Sequence, residues 1–484
     1  MFAFLLRYQF RRTVLVCAGC LALFGGMLAA EHWPPPGGWW PLLVLPAACL
    51  GMRRRSWLAL LTVLLLCFGL GWWRGSVVQR QLESYNALFR RPVVLTGRAT
   101  IDGVYGTRSQ LTFTLDHVRL VSPRKAELPG SLSVSGFGVP AVFRGDTVQV
   151  SGKLFATRGN NQAGISFASL RVLRRHSSWI DMFRRRFAAG LQSALPEPLA
   201  SFGLGLLIGQ RSTLPPDVAH TLLVVGLTHI VAVSGYNLTI MVNAARRLLG
   251  RRSKYQTATS CLLLIAGFLL LTGSSPSIVR ASIISTLSIL AWYYGRAVPP
   301  VTLLLTAGAI SALATPLYVW GNVSWYLSFL AFFGVIVVAP AITRRLYSER
   351  EPKLVGQLVL ETLCAEAMTL PYVLHIFGQM SLVSLPANVL LVALVPLGML
   401  LCAVAGLAGM LLPAAAGWLA WPARLLLTYI LDMASLLSRI PHAFVEGIGF
   451  SAGALALSYV CVGWLLLVLR RRERYKSSTT QAGS

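Results

Sequence analysis

The chain has 484 residues, 55% hydrophobic and only 12% charged, with a mean hydropathy of +0.65. A soluble protein of this length carries about a quarter charged residues, so the composition excludes an ordinary soluble enzyme and places most of the chain in lipid. The 43 Lys and Arg against 16 Asp and Glu leave a net charge of +27, which suits lipid headgroups or nucleic acid, although cytoplasmic loops of membrane proteins collect Lys and Arg in any case.

The first apolar run, Thr13 to Ala30, follows Arg7, Arg11 and Arg12 as a signal peptide would. Its length and its Leu28-Ala29-Ala30 end favour a retained anchor. A short run lies near 39–52 and a longer one near 56–73. After a polar stretch come nine more candidate crossings, near 218–245, 256–273, 276–295, 299–316, 323–343, 355–378, 382–411, 418–440 and 448–469, judged by the ~20 apolar residues that span a bilayer. Basic clusters at Arg7–Arg12, Arg53–Arg55, Arg246–Lys254, Arg344–Lys353 and Arg470–Lys476 all fall on the cytoplasmic side if both termini are inside. The same assignment puts residues 74–175 outside. The eight cysteines sit in or beside apolar runs, and Cys17 and Cys20, a CxxC without a second pair, read as small apolar residues.

The outside region reads as β structure. β-rich stretches at 92–101, 109–121, 131–135, 147–157 and 164–173 are separated by turns such as Asp102-Gly103, Pro129-Gly130 and Arg144-Gly145-Asp146. Five short strands in about a hundred residues suit a small Greek-key barrel of OB type. Residues 74–175 hold 15 Lys or Arg against 5 Asp or Glu, an excess that the cytoplasmic-loop rule does not explain. With Tyr105, Phe113, Phe137, Phe143 and Phe155, such a barrel can hold single strands by backbone charge and base stacking. For each aromatic taken singly, a place in the barrel core is the better expectation. Next, Trp179, Phe183, Phe187, Leu191 and Leu195 recur every four residues with Arg184–Arg186 interleaved. That pattern makes an amphipathic helix, lying on the membrane face or packed on the helical bundle.

Residues 203–212, GLGLLIGQRS, are not a phosphate-binding loop: Gly205 to Gly209 is one residue short and Gln210 stands where the loop needs Lys. Residues 226–239, GLTHIVAVSGYNLT, place His229, Ser234, Gly235 and Asn237 in an apolar run. This is either a discontinuous helix beside a polar cavity, or close packing at Gly235 with His229 bonded to a backbone carbonyl. GLGLLIGQRSTLP, GLTHIVAVSGYNLT, SSPSIVRASII, WYLSFLAFFGVIV and TLPYVLHIFGQMSLVSLPANVLLVALVPLGML follow one another in the order seen in the ComEC/Rec2 competence family, which this chain resembles from about 195 to 470.

The resemblance implies a mainly α polytopic protein of the bacterial inner membrane, with about 12 transmembrane helices and an inserted extracytoplasmic small β-barrel of OB type. It divides the chain into N-terminal transmembrane helices (1–75), the OB-like domain (76–175), an amphipathic interfacial helix (176–198), a competence channel domain (199–470) and a basic cytoplasmic tail (471–484). It further implies a channel for single-stranded DNA in natural transformation, not an enzyme, with no metal or cofactor. By position, the family's glycine-rich motif corresponds to Gly205, Gly209 and Arg211. The helix-break motif corresponds to His229, Ser234 and Gly235, with Asn237 where the family often has His. The proline-arginine motif corresponds to Pro276 and Arg280, and the exit motif to Gly378, Gln379 and Asn388. Gln210 stands where the family often has Asp, and the chain reaches Ser484 without the H-x-H-x-D-H signature of the family's metallo-β-lactamase-like domain. The expected partners are single-stranded DNA, the lipid bilayer, a cytoplasmic ATPase or helicase, an extracytoplasmic DNA receptor and a separate nuclease.

Ionisable residues at bilayer depth call for a partner or a water-lined wall. The candidates are His229, Arg280, Glu361, Glu366, His375 and Asp432. Arg280 reads either as a pore cation, with a glutamate as its potential partner, or as a side chain snorkelling to the headgroups from the start of its helix. On helices, Glu366 and His375 lie on opposite faces and Glu361 and His375 lie ~21 Å apart, so neither pair is an acid–base couple. A secondary transporter for a small anion is the alternative function, and it predicts broken helices in two matching halves. Only one such break is visible in the sequence, near 233–237.

Overall fold

The computed structural model describes residues 10–33, 57–105, 110–157, 161–176, 178–210, 214–231, 235–250, 252–273, 275–347 and 354–482. The N-terminal helices are α1 (Arg12–His32) and α2 (Trp57–Asn86). Seven strands follow: β1 (Pro92–Ala99), β2 (Val104–Tyr105), β3 (Leu111–Ser122), β4 (Ala126–Leu128), β5 (Leu132–Phe137), β6 (Thr147–Ala156) and β7 (Ala163–Arg174). Then come α3 (Trp179–Ala194), α4 (Leu199–Ile208), α5 (Pro216–Val224), α6 (Gly235–Leu248), α7 (Lys254–Thr272), α8 (Pro276–Tyr293) and α9 (Pro300–Ala314). The chain continues as α10 (Val323–Tyr347), α11 (Leu354–Phe377), α12 (Ser384–Leu411), α13 (Trp421–Ser438) and α14 (Ala452–Ala482). The apolar run at 39–52 lies outside the described residues.

The chain forms two compact units. One comprises Met1–Ala189, Gln210–Thr213 and Leu238–Trp325; the other comprises Gly190–Gly209, Leu214–Asn237 and Tyr326–Ser484. In the first unit α1 and α2 cross so closely that a Cβ on Gly26 would lie 2.1 Å from the Phe68 carbonyl oxygen, and one on Gly71 would lie 2.1 Å from that of Leu23. Glycine is required there because the backbones themselves touch. The run read as 56–73 continues as helix to Asn86. Helix-forming Gln79–Glu83 carries it on, and Tyr85 at its end is fully buried in the β domain, its hydroxyl donating to the Pro129 carbonyl at 2.6 Å.

The β domain closes on itself. β1 pairs with β3 and β6, β6 with β7, β7 with β5 and β5 with β3, so five strands make a ring, and every pairing is antiparallel except β5–β7. Closure removes the exposed strand edges that invite aggregation. β2 and β4, each paired on β3, are too short for sequence alternation to show. The interior is apolar, with Leu95, Phe113, Leu115, Val134, Val150 and Ile165 all 0–1% exposed.

In the second unit α10 carries a π turn at Gly334–Val338, where a Cβ on Gly334 would lie 2.4 Å from the Cys364 carbonyl of α11. The last turn of α3 crosses α12 equally tightly: a Cβ on Gly409 would lie 1.9 Å from the Gly190 carbonyl oxygen. Across the described residues, six helices are long and apolar enough to cross a membrane, or seven if the bent pair Pro413–Leu419 and Trp421–Ser438 counts as one. The run read as one crossing at 218–245 is instead interrupted. α5 ends before Gly226, whose φ is +74°, a short turn covers Thr228–Val231, and α6 starts at Gly235.

Candidate nucleic-acid interface

On the outer face of the barrel three phenylalanines are uncovered. Phe137 is 43% exposed, Phe155 41% and Phe167 62%, and the Phe137 and Phe167 rings lie 6.5 Å apart. Exposed Lys153 on β6 is paired with Ser166, next to Phe167, and exposed Arg171 stands further along β7 itself, paired with Gln149. Flat rings offer stacking surfaces and the two cations offer phosphate contacts, the combination that holds a single strand without reading its sequence.

Of the five aromatics named from sequence, only Phe113 is fully buried. The expectation of a core position fails for Phe137 and Phe155. It fails also for Tyr105, 52% exposed with its hydroxyl bonded to the Pro140 carbonyl. Phe143 is covered by the protein's own cations, with the Arg175 and Arg185 guanidinium carbons 5.4 and 4.5 Å from its ring centre. Phe167 was missed by sequence reasoning. The sequence marks only that alternation breaks at the adjacent apolar pair Phe167-Ala168; the structure shows how, with Ser166 and Phe167 both facing out between inward Ile165 and Ala168.

Part of the barrel's basic charge is structural. Asp102 accepts from the Arg144 amide at 2.9 Å and from Arg184 Nη2 at 3.3 Å, while Arg144 Nη1 donates to the Leu270 carbonyl at the end of α7 at 3.4 Å. Fully buried Asp146 accepts from the amides of Phe143 and His176. These bonds fasten the barrel to α3 and α7. The α3 stripe divides accordingly: Trp179 is 73% and Phe183 36% exposed, whereas Phe187, Leu191 and Leu195 are buried.

The motif residues of the helical part take mostly structural places. Gly209, with a φ of +70°, caps α4, its amide donating to the Gly205 carbonyl at 3.1 Å. Arg211 and Ser234 lie outside the described residues. His229 Nδ1 lies 3.1 Å from the Gly226 carbonyl, Gly235 opens α6, and Asn237 is 2% exposed. Pro276 occupies the first turn of α8 behind the Ser275 cap. Arg280, 6% exposed, is enclosed by the protein. Gly378, with a φ of +62°, turns the chain out of α11, and Gln379 leads into a two-residue strand, β8 (Met380–Ser381), that pairs with β9 (Phe444–Val445).

Two of these motifs meet within the second unit. A Cβ on Gly226 would lie 2.8 Å from Ser384 Cβ and 3.5 Å from Ser381 Cβ, so the broken helix packs directly on the start of α12. Further along α12, Asn388 Nδ2 donates to Glu366 Oε1 of α11 at 2.9 Å. Glu366, one of the ionisable residues expected at bilayer depth, thus has its partner twenty-two residues on, a pairing that no local pattern in the sequence carries. Glu361 accepts from Gln357 at 2.8 Å, and His375 Nδ1 lies 2.9 Å from the Phe450 carbonyl.

A family model described as Competence protein matches residues 206–472. The chain belongs to the competence protein family of ComEC/Rec2 type. Among its relatives, ComE operon protein 3 of Bacillus subtilis (strain 168) is 26% identical over 225 residues, 46% of this chain and 28% of that protein. Competence protein ComA of Neisseria gonorrhoeae is 28% identical over 224 residues, 43% of this chain and 31% of that protein. The chain thus spans less than a third of the length of the curated relatives it matches. No solved structure matches it significantly. The family match covers this competence protein's broken helix, the Gly226–Ser384 contact and the Asn388–Glu366 pair, whereas the barrel lies ahead of it.

Proposed function

We propose that this membrane protein is a conduit rather than an enzyme, passing single-stranded DNA across the bacterial inner membrane during natural transformation. The observation that carries the reading is the exposed Phe137–Phe167 pair beside Lys153 and Arg171 on a closed barrel, in a chain of the competence family. The OB assignment of the barrel is supported by its ring order, in which the first three long strands run antiparallel, the third pairs parallel with the fifth, and the fourth closes onto the first. About 12 crossings, with both termini inside, result when the six long helices and the bent pair Pro413–Leu419 and Trp421–Ser438 are joined by α8, the short apolar helices Pro300–Ala314 and Ala452–Val468, the broken stretch after Pro216 and, read from the sequence, the run at 39–52. A cytoplasmic ATPase or helicase pulls the strand, and an external receptor and a separate nuclease act before it.

The test is transformation of the native host with linear DNA after deletion of the gene. Loss of transformants, with DNA still reaching the outer face of the membrane, supports the conduit. Recovery by the wild-type gene, but not by one carrying Phe137→Ala and Phe167→Ala at normal membrane levels, supports the barrel's part in it. A deletion strain that transforms normally overturns the reading.

A further inference from the structure

Asp432 is an ionisable residue for which neither the barrel nor the motifs account. It lies on α13, where Trp421, Arg424, Leu425, Thr428, Tyr429 and Asp432 recur at helical spacing and therefore share one face. Together they line an open groove of about 640 Å³. Arg424 and Asp432 are both exposed, as are Trp421, Leu425 and Tyr429. The opposite face, Ala423, Leu427, Ile430 and Ala434, is buried against the other helices of the second unit.

Lipid does not suit this face. An ionised Asp or Arg at the centre of a membrane helix costs about 3 kcal/mol even on the mildest scales. Arg424 lies one turn inside the helix and can extend to the headgroups. Asp432 cannot: its side chain is short, and at 1.5 Å per residue it stands about 16 Å from Trp421 and about 9 Å from Ser438, the two ends of the helix. A second copy of the chain packed on this face about a two-fold axis normal to the membrane fails as well, because it would set like charges against each other at both positions.

We propose that the exposed face of α13 lines a water-filled passage along which a single-stranded nucleic acid slides; this rests on the conduit reading above. Arg424 meets the phosphates as a point charge, and Trp421 and Tyr429 present rings to the bases. Asp432, about 12 Å further along the helix, opposes the backbone charge. The wall therefore attracts weakly enough to release what it guides, as conduction requires.

Thiol labelling of the full chain tests this, with Thr428→Cys on the face and Ala434→Cys on the buried side, in membrane vesicles treated with a sulfonated, membrane-impermeant thiol reagent. The wild-type chain, with its exposed Cys461, sets the background. Thr428→Cys should label at least about tenfold faster than Ala434→Cys, since reaction needs an exposed thiolate. Labelling no faster than at Ala434→Cys means lipid or another protein covers the face and overturns the passage. In competent cells, labelled Thr428→Cys should transform at least tenfold less well than labelled wild type. Fast labelling with undiminished transformation takes the strand off this route and overturns its contact with α13. Fast labelling together with a gene deletion that transforms normally refutes the conduit reading, and with it the strand contact, while the wetted face stands.

Discussion

At Phe167 the chain takes a φ of +55°, left-handed for a bulky side chain, at the bulge where β7 leaves register with β5 and β6. Such a conformation costs about 1–3 kcal/mol, and it turns the ring outward beside Phe137. Phe113, two strands away, is fully buried. The two therefore separate stability from binding. Phe113→Ala is expected to cost about 3–5 kcal/mol and lower the unfolding temperature of the purified chain sharply. Phe167→Gly is expected to leave stability equal or slightly higher, because glycine adopts positive φ freely. The same change is expected to weaken oligothymidylate binding about 5- to 150-fold, the loss of one stacked base at about 1–3 kcal/mol. Fluorescence anisotropy and a thermal melt on the same samples check both. Alternation in the sequence could place Phe113 but not Phe167, because a bulge reverses the parity of every residue after it. For the same reason Asn388 was legible as a motif residue, while its pairing with Glu366 depends on how α11 and α12 return on each other.

The elements themselves were largely legible. The five long strands and the long apolar helices appear near the expected positions because period-2 and continuous apolar patterns each admit one local structure. The closure of the barrel through the parallel β5–β7 pairing was not, since pairing partners lie far apart in the chain. Nor was the continuation of α2 to Asn86, where apolarity ends but helix propensity does not. Helix contacts were invisible too, and α2 offers a sharp test of them. A Cβ on Gly69 meets nothing within 4 Å, whereas one on Gly71 collides with the Leu23 carbonyl. Gly69→Ala is therefore expected to stabilise the chain by up to about 1 kcal/mol through helix propensity. Gly71→Ala is expected to lower the unfolding temperature and the yield of monodisperse protein in detergent, because α1 and α2 must move apart.

For the whole molecule, the net charge of +27 is an electrostatic reservoir of which only part is free to meet a ligand. Arg144 and Arg184 serve the joint between the barrel and its neighbouring helices, while Lys153 and Arg171 remain on the open face. Single-strand binding releases counterions with a slope of about 0.7 per phosphate contacted. The double variant Lys153→Ala, Arg171→Ala is thus expected to flatten the log–log salt dependence of oligothymidylate affinity by about 1.4. Phe167→Ala should lower affinity at every salt concentration without changing the slope. Equal slopes for the double variant and wild type would place the phosphate contacts elsewhere.

The continuous run of α2 into the barrel floor, with Tyr85 buried at its tip, has a mechanical consequence. No flexible hinge separates the apolar length of the helix from the barrel interior. A tensile load applied to anything gripped by the barrel passes along the helix axis, through backbone hydrogen bonds, to the α1–α2 crossing at Gly26 and Gly71. The barrel is then held as a stiff bracket rather than a tethered float, and a pull on its cargo strains the helix pair instead of tilting the barrel away.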